Sequence, residues 1–410
     1  MLHEVYKCPP TWVHLRSGPL GQYVEGFVAE ERALGFARLT IHGHLRVVAA
    51  LNRWLDGMGL QVADLSETRI SEFLQSRRSS CRRHEKSPLR RFLIYLRDQG
   101  AVQRVTVETR NDPHMRLLRQ YGEHLTKVRG LTAPTVTRYQ SIARSFLHTH
   151  VPSGSTRFRD LTGTSISSFV VAVMRCRGRK AAKELIVGLR AFLRWLQFRG
   201  WIASNLVSAV PAVADWRLSS LPPALTAHEV RRVLRSCNRH TPVGLRDFAI
   251  LLLIARLGIR AGEVVRLKLE DIDWRSGELM LQRKPDRQER VPLPVDVGAA
   301  LSAYLKSGRP VCSDRHVFLC MNAPHRSFRN SSTVTCVVAA ALRRAGLNPE
   351  RKGTHLLRHT LARRLLQKGA TLSEIGDLLG HRHIAATEIY AKVDFKALRS
   401  VAQPWPGGYR

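Results

Sequence analysis

The chain of 410 residues carries 66 lysines and arginines against 32 aspartates and glutamates, a formal net charge of +34. Hydrophobic residues make up 44% and charged residues 24%, which is ordinary for a folded soluble protein. The positive charge favours a polyanionic partner, nucleic acid above all, without distinguishing DNA from RNA. A GC-rich genome or a ribosome-associated role would produce a similar charge.

The sequence predicts a cytoplasmic protein with no membrane segment and no metal. The most apolar run, Phe248–Ile254, is far shorter than the roughly 20 residues that span a bilayer. The first residues lack the apolar core of a secretory signal. The seven cysteines include no CxxC pair, which favours reduced thiols. His381 and His383 have no cysteine or carboxylate at the spacing of a metal site.

The first half of the sequence repeats itself. The matching pairs of segments are 63–73 with 159–169 and 89–100 with 189–200. Apolar positions at helical spacing precede each pair, so we predict two copies of a small helical module. Both copies are rich in arginine, and such clusters in a basic chain often contact phosphates.

A change of domain is predicted after the second copy. Residues 209–224 contain several prolines and show no periodicity, which is typical of a linker. Thr226 and Glu229 then have the spacing of a capping box, which starts a helix.

The next segment places an arginine and a glutamate close together. A buried helix is predicted to end at Gly258, Arg260 follows on the turn, and Glu263 lies one helical turn further on. An arginine that a carboxylate orients is suited to binding a phosphate. A surface ion pair would explain this segment alone equally well.

A β-hairpin follows. The strand-like runs 278–282 and 289–293 enclose a basic loop at 283–288. This loop can deliver Lys284 to a DNA backbone, although basic hairpin tips are common and are usually only solvated.

A histidine-arginine-histidine cluster comes next. The spacing of His355, Arg358 and His359 puts the three side chains on one side of a helix, opposite several leucines. Three such groups at a packed helix start are costly unless they bind an anion.

The last polar group is a tyrosine. Thr371 and Glu374 are predicted to start a helix that stops at Gly380, and His381 precedes Tyr390 by nine residues. A lone tyrosine is usually a core or surface residue, and its hydroxyl has a pKa of about 10. Only the neighbouring polar groups favour a nucleophile here.

Taken in order, these features resemble the catalytic domain of the tyrosine recombinases, the phage-integrase and Xer-like family. The resemblance covers about residues 222–400. It rests on Leu-Gly-Ile-Arg-Ala-Gly-Glu, His-Leu-Leu-Arg-His, Leu-Leu-Gly-His and the tyrosine nine residues after that histidine. It implies a mainly α fold with a small antiparallel β-sheet, in which helical core-binding modules precede the catalytic domain.

On this resemblance the chain divides into five parts. They are an N-terminal helical module that duplicates the core-binding type (1–108), a core-binding, SAM-like DNA-binding domain (109–210), a linker (211–224), the tyrosine-recombinase catalytic domain (225–402) and a C-terminal tail (403–410).

The resemblance also implies the chemistry. Tyr390 is the nucleophile that forms a 3′-phosphotyrosyl link, while Arg260 and Arg358 hold the non-bridging phosphate oxygens. Lys284 is the general acid for the 5′ oxygen. The reaction needs no ATP, metal or other cofactor.

The remaining implied site residues support these four. His355 and His381 assist proton handling and hydrogen-bond the phosphate, and Glu263 orients Arg260. Members of the family often carry Gly-Lys-Gly in the hairpin, whereas Arg283 and Pro285 flank the lysine here.

The implied partner is double-stranded DNA, bound by a homo-tetramer alone or with sister recombinases, near the nucleoid. The extra N-terminal module, in place of a small β-rich arm-binding domain, favours a transposon or other mobile-element enzyme. A type IB topoisomerase-like enzyme and a non-catalytic DNA-binding accessory protein are the alternatives. The tandem modules argue against the first, and the complete polar set argues against the second.

Overall fold

The computed structural model describes residues 16–77, 79–103, 112–152, 158, 160–176, 179–202, 204–212, 222–284, 287–381 and 387–393. The fold is mainly helical with one three-stranded antiparallel sheet, which confirms the predicted fold class. Within these ranges, no helix is both long and apolar enough to cross a membrane. The tail at 403–410 and most of the linker at 211–224 lie outside the described residues.

Among the described residues, four α-helices between positions 24 and 98 share one hydrophobic core. They are α1 (Val24–Ala33), α2 (Arg38–Gly57), α3 (Glu67–Ser76) and α4 (Ser79–Asp98). Leu45 on α2 and Phe92 on α4 are fully buried between them. Ser66 starts α3 by accepting a hydrogen bond from the Arg69 amide at 3.2 Å.

The next four helices enclose a separate core. They are α5 (Pro113–Lys127), α6 (Ala133–His150), α7 (Gly163–Cys176) and α8 (Arg179–Phe198). Tyr121 and Phe192 meet edge to face in this core, with ring centroids 5.0 Å apart. The matching segments 63–73 and 159–169 lead into the third helix of each set, α3 and α7. The matching segments 89–100 and 189–200 lie mostly on the fourth helix of each set, α4 and α8.

The described residues fall into two compact units. Residues 16–103 and those from 222 onward form one unit, and residues 112–212 form the other. Within the first unit the His325 amide donates to the Leu34 carbonyl at 3.1 Å. The domain limits given above stay predictions.

Seven further α-helices belong to the part of the first unit that is described from residue 222 onward. They are α9 (Ala227–Arg235), α10 (Pro242–Leu257), α11 (Ala261–Arg266), α12 (Val295–Ser307), α13 (Ser332–Arg344), α14 (Thr354–Gln367) and α15 (Leu372–Leu379), and a 3-10 helix follows at Glu388–Val393. The capping boxes predicted at Thr226 and Thr371 are both present. Helix α10 is deeply buried along residues 249–255, where a continuous apolar run places apolar side chains on every side of the helix.

The sheet extends further than the sequence predicts. Its strands are β1 (Ile272–Asp273), β2 (Glu278–Lys284) and β3 (Arg287–Pro292), paired in that order. The predicted loop at 283–288 was therefore wrong in its limits, because Arg283 and Lys284 belong to β2. The Arg283 side chain is only 5% exposed, so a charged residue that is typical of a loop is part of a packed strand.

Candidate active site

Two helices end close together at the centre of the site. Gly258 ends α10 with φ of +62°, and Gly380 ends α15 with φ of +60°. A Cβ on Gly258 would lie 2.4 Å from Cδ2 of Leu379, so only glycine fits the close approach. The last carbonyls of a helix lack intrahelical partners and carry partial negative charge. The two ends thus offer acceptors for cations.

Three arginines donate to three successive backbone carbonyls at the end of α15. The pairs are Arg283 Nη2 with Leu378 O at 3.0 Å, Arg358 Nη2 with Leu379 O, and Arg260 Nη2 with Gly380 O at 2.9 Å. The arginines come from β2, α14 and the turn before α11, so parts of the chain distant in sequence meet here. Guanidinium groups held side by side form a site for an anion such as a phosphate.

Arg260 is fixed by its own helix start. It is the N-cap of α11, and Glu263 accepts from its backbone amide and from its Nη1, both at 2.9 Å. Glu263 is 3% exposed, whereas the Arg260 side chain is 36% exposed. The buried carboxylate therefore holds a guanidinium that is still partly exposed.

Arg358 lies inside the protein between the two helix ends. It is 4% exposed, and its Nη1 also donates to the Gly258 carbonyl. Among the described residues no carboxylate is within ion-pair distance of it. Burial, followed by repulsion from Arg260, lowers the pKa of Arg358 to about 10. Within the described part of the chain, its charge is stabilised by backbone carbonyls and by the more distant Glu263, which leaves it suited to an incoming anion.

The Tyr390 hydroxyl is held by a histidine. Its Oη lies 2.8 Å from Nδ1 of His359, and Tyr390 is 1% exposed. Burial raises the pKa of Tyr390 to about 12, against the opposing effect of the Arg358 charge. Burial, followed by repulsion from His355 and Arg358, lowers the pKa of His359 to about 4. At neutral pH an uncharged imidazole therefore faces an un-ionised phenol.

His381 is anchored from both sides. Its amide donates to the Gly376 carbonyl at 2.9 Å, and its Nδ1 lies 2.8 Å from Oγ1 of Thr387, which is fully buried. Burial, followed by the charges of Arg358 and Arg260, lowers the pKa of His381 to about 4. The backbone carbonyl of Thr387 accepts a hydrogen bond from the Tyr390 amide at 2.9 Å, so Thr387 links the histidine to the tyrosine.

The other two predicted site residues lie at the edge of this group. His355 is exposed in the first turn of α14, with its ring centroid 6.2 Å from that of His359. Lys284 is the last residue of β2, and its side chain lies outside the described residues. Arg358, predicted on the same polar side as His355, points instead into the core.

Three residues that contact the site were not selected from the sequence. They are Arg283, His359 and Thr387. His359 was visible as part of the histidine-arginine-histidine cluster, but its contact with Tyr390 joins residues 31 positions apart. Arg283 had the sequence signature of a solvated loop, and Thr387 carried no signal.

The relation to known proteins follows from sequence comparison. Residues 223–397 match the model of the phage integrase family. A putative integrase/recombinase, y4rA of Sinorhizobium fredii, is 37% identical over 391 residues, which cover 95% of each chain. The chain belongs to the phage integrase family of tyrosine recombinases. The recombinase thus has site-specific DNA recombination as its class of activity.

A shorter relative matches only part of the chain. Tyrosine recombinase XerD of Mycobacterium tuberculosis is 30% identical over 310 residues, which cover 96% of XerD but only 71% of the recombinase. The fold is similar to that of a lambda integrase tetramer bound to a Holliday junction, with a TM-score of 0.52 and 20% identity over 68% of the recombinase and 80% of that chain. More than a quarter of the recombinase therefore has no counterpart in XerD.

Proposed function

We propose that the recombinase cleaves and rejoins double-stranded DNA through a 3′-phosphotyrosyl intermediate on Tyr390. The observation that supports this most is the convergence of Arg260 and Arg358 on the end of α15, with Tyr390 hydrogen-bonded to the residue after Arg358. Two positively charged groups that can bind a phosphate therefore lie close to a candidate nucleophile. Phosphodiester cleavage requires both.

The two arginines bind the scissile phosphate. Arg260 donates to Glu263 and to the Gly380 carbonyl, and Arg358 donates to the carbonyls of Gly258 and Leu379. Because a guanidinium has five N–H donors, we propose that the other donors of each arginine bind the non-bridging oxygens once DNA binding has opened the packing around buried Arg358. Because the carbonyls fix both groups beforehand, little reorganisation is needed as negative charge builds up in the transition state. Glu263 keeps Arg260 in place for this role.

Tyr390 attacks the phosphorus. Its Oη forms the new P–O bond, and its proton passes to Nδ1 of His359, with the histidine in the Nε2-protonated tautomer. An incoming phosphate offsets part of the repulsion from Arg358 that helps to hold the pKa of His359 low. Because Tyr390 is 1% exposed, DNA binding must first open the packing around the hydroxyl.

The 5′ oxygen of the next nucleotide leaves as the P–O bond breaks, and Lys284 supplies its proton. His355 and His381 donate hydrogen bonds to the phosphate. The products are a 3′-phosphotyrosyl ester and a free 5′-hydroxyl. A 5′-hydroxyl from another duplex reverses the steps, and because the ester conserves the bond energy, the cycle consumes no ATP. Arg260 and Arg358 neutralise the phosphate charge, which is the role that a metal ion would otherwise have.

Exchange between two duplexes requires four strand cuts, which favours a tetramer on DNA like that of the lambda integrase structure. We propose that the recombinase moves or resolves a mobile element in this way. More than a quarter of the recombinase has no counterpart in XerD, so the chain carries more than a minimal recombinase does. This addition supports a role at a mobile element. The segment after Tyr390 that we expect to pack against a neighbouring subunit, residues 394–401, lies outside the described residues.

The two helical modules differ in charge. Residues 1–108 contain 16 lysines and arginines against 11 acidic residues, whereas residues 109–210 contain 17 against 4. In the first module arginines also pair with acids, as Arg91 does with Glu31 at 3.0 Å and Arg97 with Glu67 at 2.8 Å. We propose that the second module makes most of the phosphate contacts.

The test is formation of a covalent protein–DNA adduct. Nicked suicide duplexes from the ends of the mobile element lose a short strand after cleavage, so the intermediate accumulates and is visible on a denaturing gel. Wild-type protein is expected to form it and Tyr390→Phe is not. No adduct with wild type, or an adduct with Tyr390→Phe, would contradict the proposal.

A topoisomerase-like activity is separated by a second assay. A relaxing enzyme changes the linking number of any supercoiled plasmid, whereas a recombinase exchanges strands between two copies of its site, which in this assay lie on two plasmids. We expect joined plasmids from the site-bearing pair and none from plasmids without the site.

A further inference from the structure

Arg283 connects the β-hairpin to the end of helix α15. Its Nε lies 2.9 Å from Oε2 of Glu289 on the neighbouring strand, and its Nη2 donates to the Leu378 carbonyl at 3.0 Å. The side chain is 5% exposed. A single guanidinium thus joins both strands of the hairpin to the helix end that carries His381.

The fit against Gly380 is close. A Cβ added to Gly380 would lie 2.1 Å from Nη1 of Arg283 and 2.4 Å from its Cδ. The guanidinium therefore rests directly on the backbone of Gly380, whose carbonyl holds Arg260. Arg283 contacts the same short peptide that places the phosphate-binding arginines.

The contact of Arg283 with the end of α15 affects the next residue, Lys284. Lys284 follows Arg283 at the end of β2, where the pairing of Gln282 and Lys284 with β3 becomes irregular. A strand end next to such an irregularity is held weakly by its own ladder. We propose that Arg283 is a positioning residue that fixes this strand end, and with it Lys284, against the end of α15. This rests on the proposed role of Lys284 as the general acid.

Direct contact of Arg283 with DNA is a poorer explanation. The side chain is almost fully buried, and its donors face Glu289 and Leu378. A buried ion pair with a purely structural role remains the competing explanation, so the test must separate general-acid positioning from loss of folding.

The experiment compares two suicide duplexes of one sequence in single-turnover cleavage. The first has the natural 5′ bridging oxygen at the scissile bond, and the second has sulfur there, which leaves as a thiolate without needing a proton. We expect Arg283→Ala to cleave the oxygen duplex about 10- to 100-fold more slowly than wild type and the sulfur duplex at nearly the wild-type rate. Lys284→Ala should show the same pattern with a larger loss.

Arg315→Ala is the matched control. Arg315 forms an ion pair with Glu270 of the same 2.9 Å length, but it is 62% exposed and remote from the site in its contacts. It should cleave both duplexes like wild type. If Arg283→Ala does not fold, Arg283→Lys is compared with wild type instead. It keeps the charge but cannot bridge Glu289 and Leu378 at once.

The outcomes separate the two proposals. Equal loss on both duplexes, or no loss on either, would overturn the role of Arg283. Equal loss for Lys284→Ala on both duplexes would also overturn it, because there would be no general acid to position. Failure of wild type to cleave either duplex would instead refute the proposed function.

Discussion

The Tyr390 hydroxyl lies 2.8 Å from Nδ1 of His359, and the residue before that histidine, Arg358, donates to the ends of two helices. One turn of α14 thus carries an anion-binding group and the partner of the nucleophile. Because Arg358 is fixed from two sides, the position of His359 follows from it. The phenol and the phosphate site are therefore held in register by adjacent residues.

Substitution of His359 should slow cleavage more than binding. His359→Asn retains a hydrogen-bond acceptor near Tyr390 but cannot take its proton, so we expect about a 100-fold lower single-turnover rate with DNA affinity within about threefold of wild type. His240→Asn, at an exposed histidine, is the control. Cleavage by His359→Asn at the wild-type rate would show that the histidine does not accept the proton.

Gly380 should tolerate no side chain. Gly380→Ala adds a Cβ 2.1 Å from Arg283, whereas Gly277→Ala adds one at φ of +67° with no atom within 4 Å. Both incur the cost of a left-handed backbone, about 1–2 kcal/mol. Only the first must also displace Arg283, so its thermal midpoint should fall clearly further. Equal shifts in calorimetry would mean that the packing of Arg283 on Gly380 contributes little.

Stability should fall in mild acid. The pKa of His359 and that of His381 are about 4 in the folded protein, below the value of about 6.5 in an unfolded chain. Between these values the unfolded chain binds protons that the folded chain does not. The contribution of the two histidines to the free energy of unfolding is therefore fully present above pH 6.5 and is lost as the pH falls toward 4.

The size of this effect is on the order of 1 kcal/mol for each histidine by pH 5. The measurement is the thermal midpoint at pH 7.5 and at pH 5.0. His359→Asn should lose less than wild type between the two, while His240→Asn should follow wild type. A drop in His359→Asn as large as that of wild type would rule out His359 as a source of the loss.

The sequence predicted those parts of the molecule that depend on local rules. Gly258 and Gly380 end helices because glycine readily adopts positive φ, and Thr371 with Glu374 starts α15 through contacts three residues apart. Such signals need no knowledge of the rest of the fold. They gave the helix limits around the site.

Long-range contacts escaped prediction. The buried place of Arg283 depends on Leu378, 95 residues away, and the contact of His359 with Tyr390 spans 31 residues. Polarity alone assigned Arg283 to a solvated loop, because nothing local shows that a helix end will supply an acceptor. Arg358 was selected from the sequence, but its position in the core follows only from the two helix ends.

The two helical modules should differ in their share of DNA binding. Neutralising exposed Arg129, Arg144 and Arg194 in the second module should weaken binding and reduce the salt slope of the affinity by up to about 0.9 for each phosphate that is no longer neutralised. The matched triple substitution of exposed Arg46, Arg53 and Arg90 in the first module should change the slope less. A larger change for the first module would reverse the assignment.

The most direct measurement is the identity of the residue that carries the DNA. The adduct formed on a suicide duplex is digested with protease and nuclease, and the peptide that retains a nucleotide is sequenced by mass spectrometry. We expect a 3′-linked nucleotide on Tyr390 and no adduct from Tyr390→Phe. A nucleotide on any other residue, or adduct formation that persists in Tyr390→Phe, would contradict the mechanism.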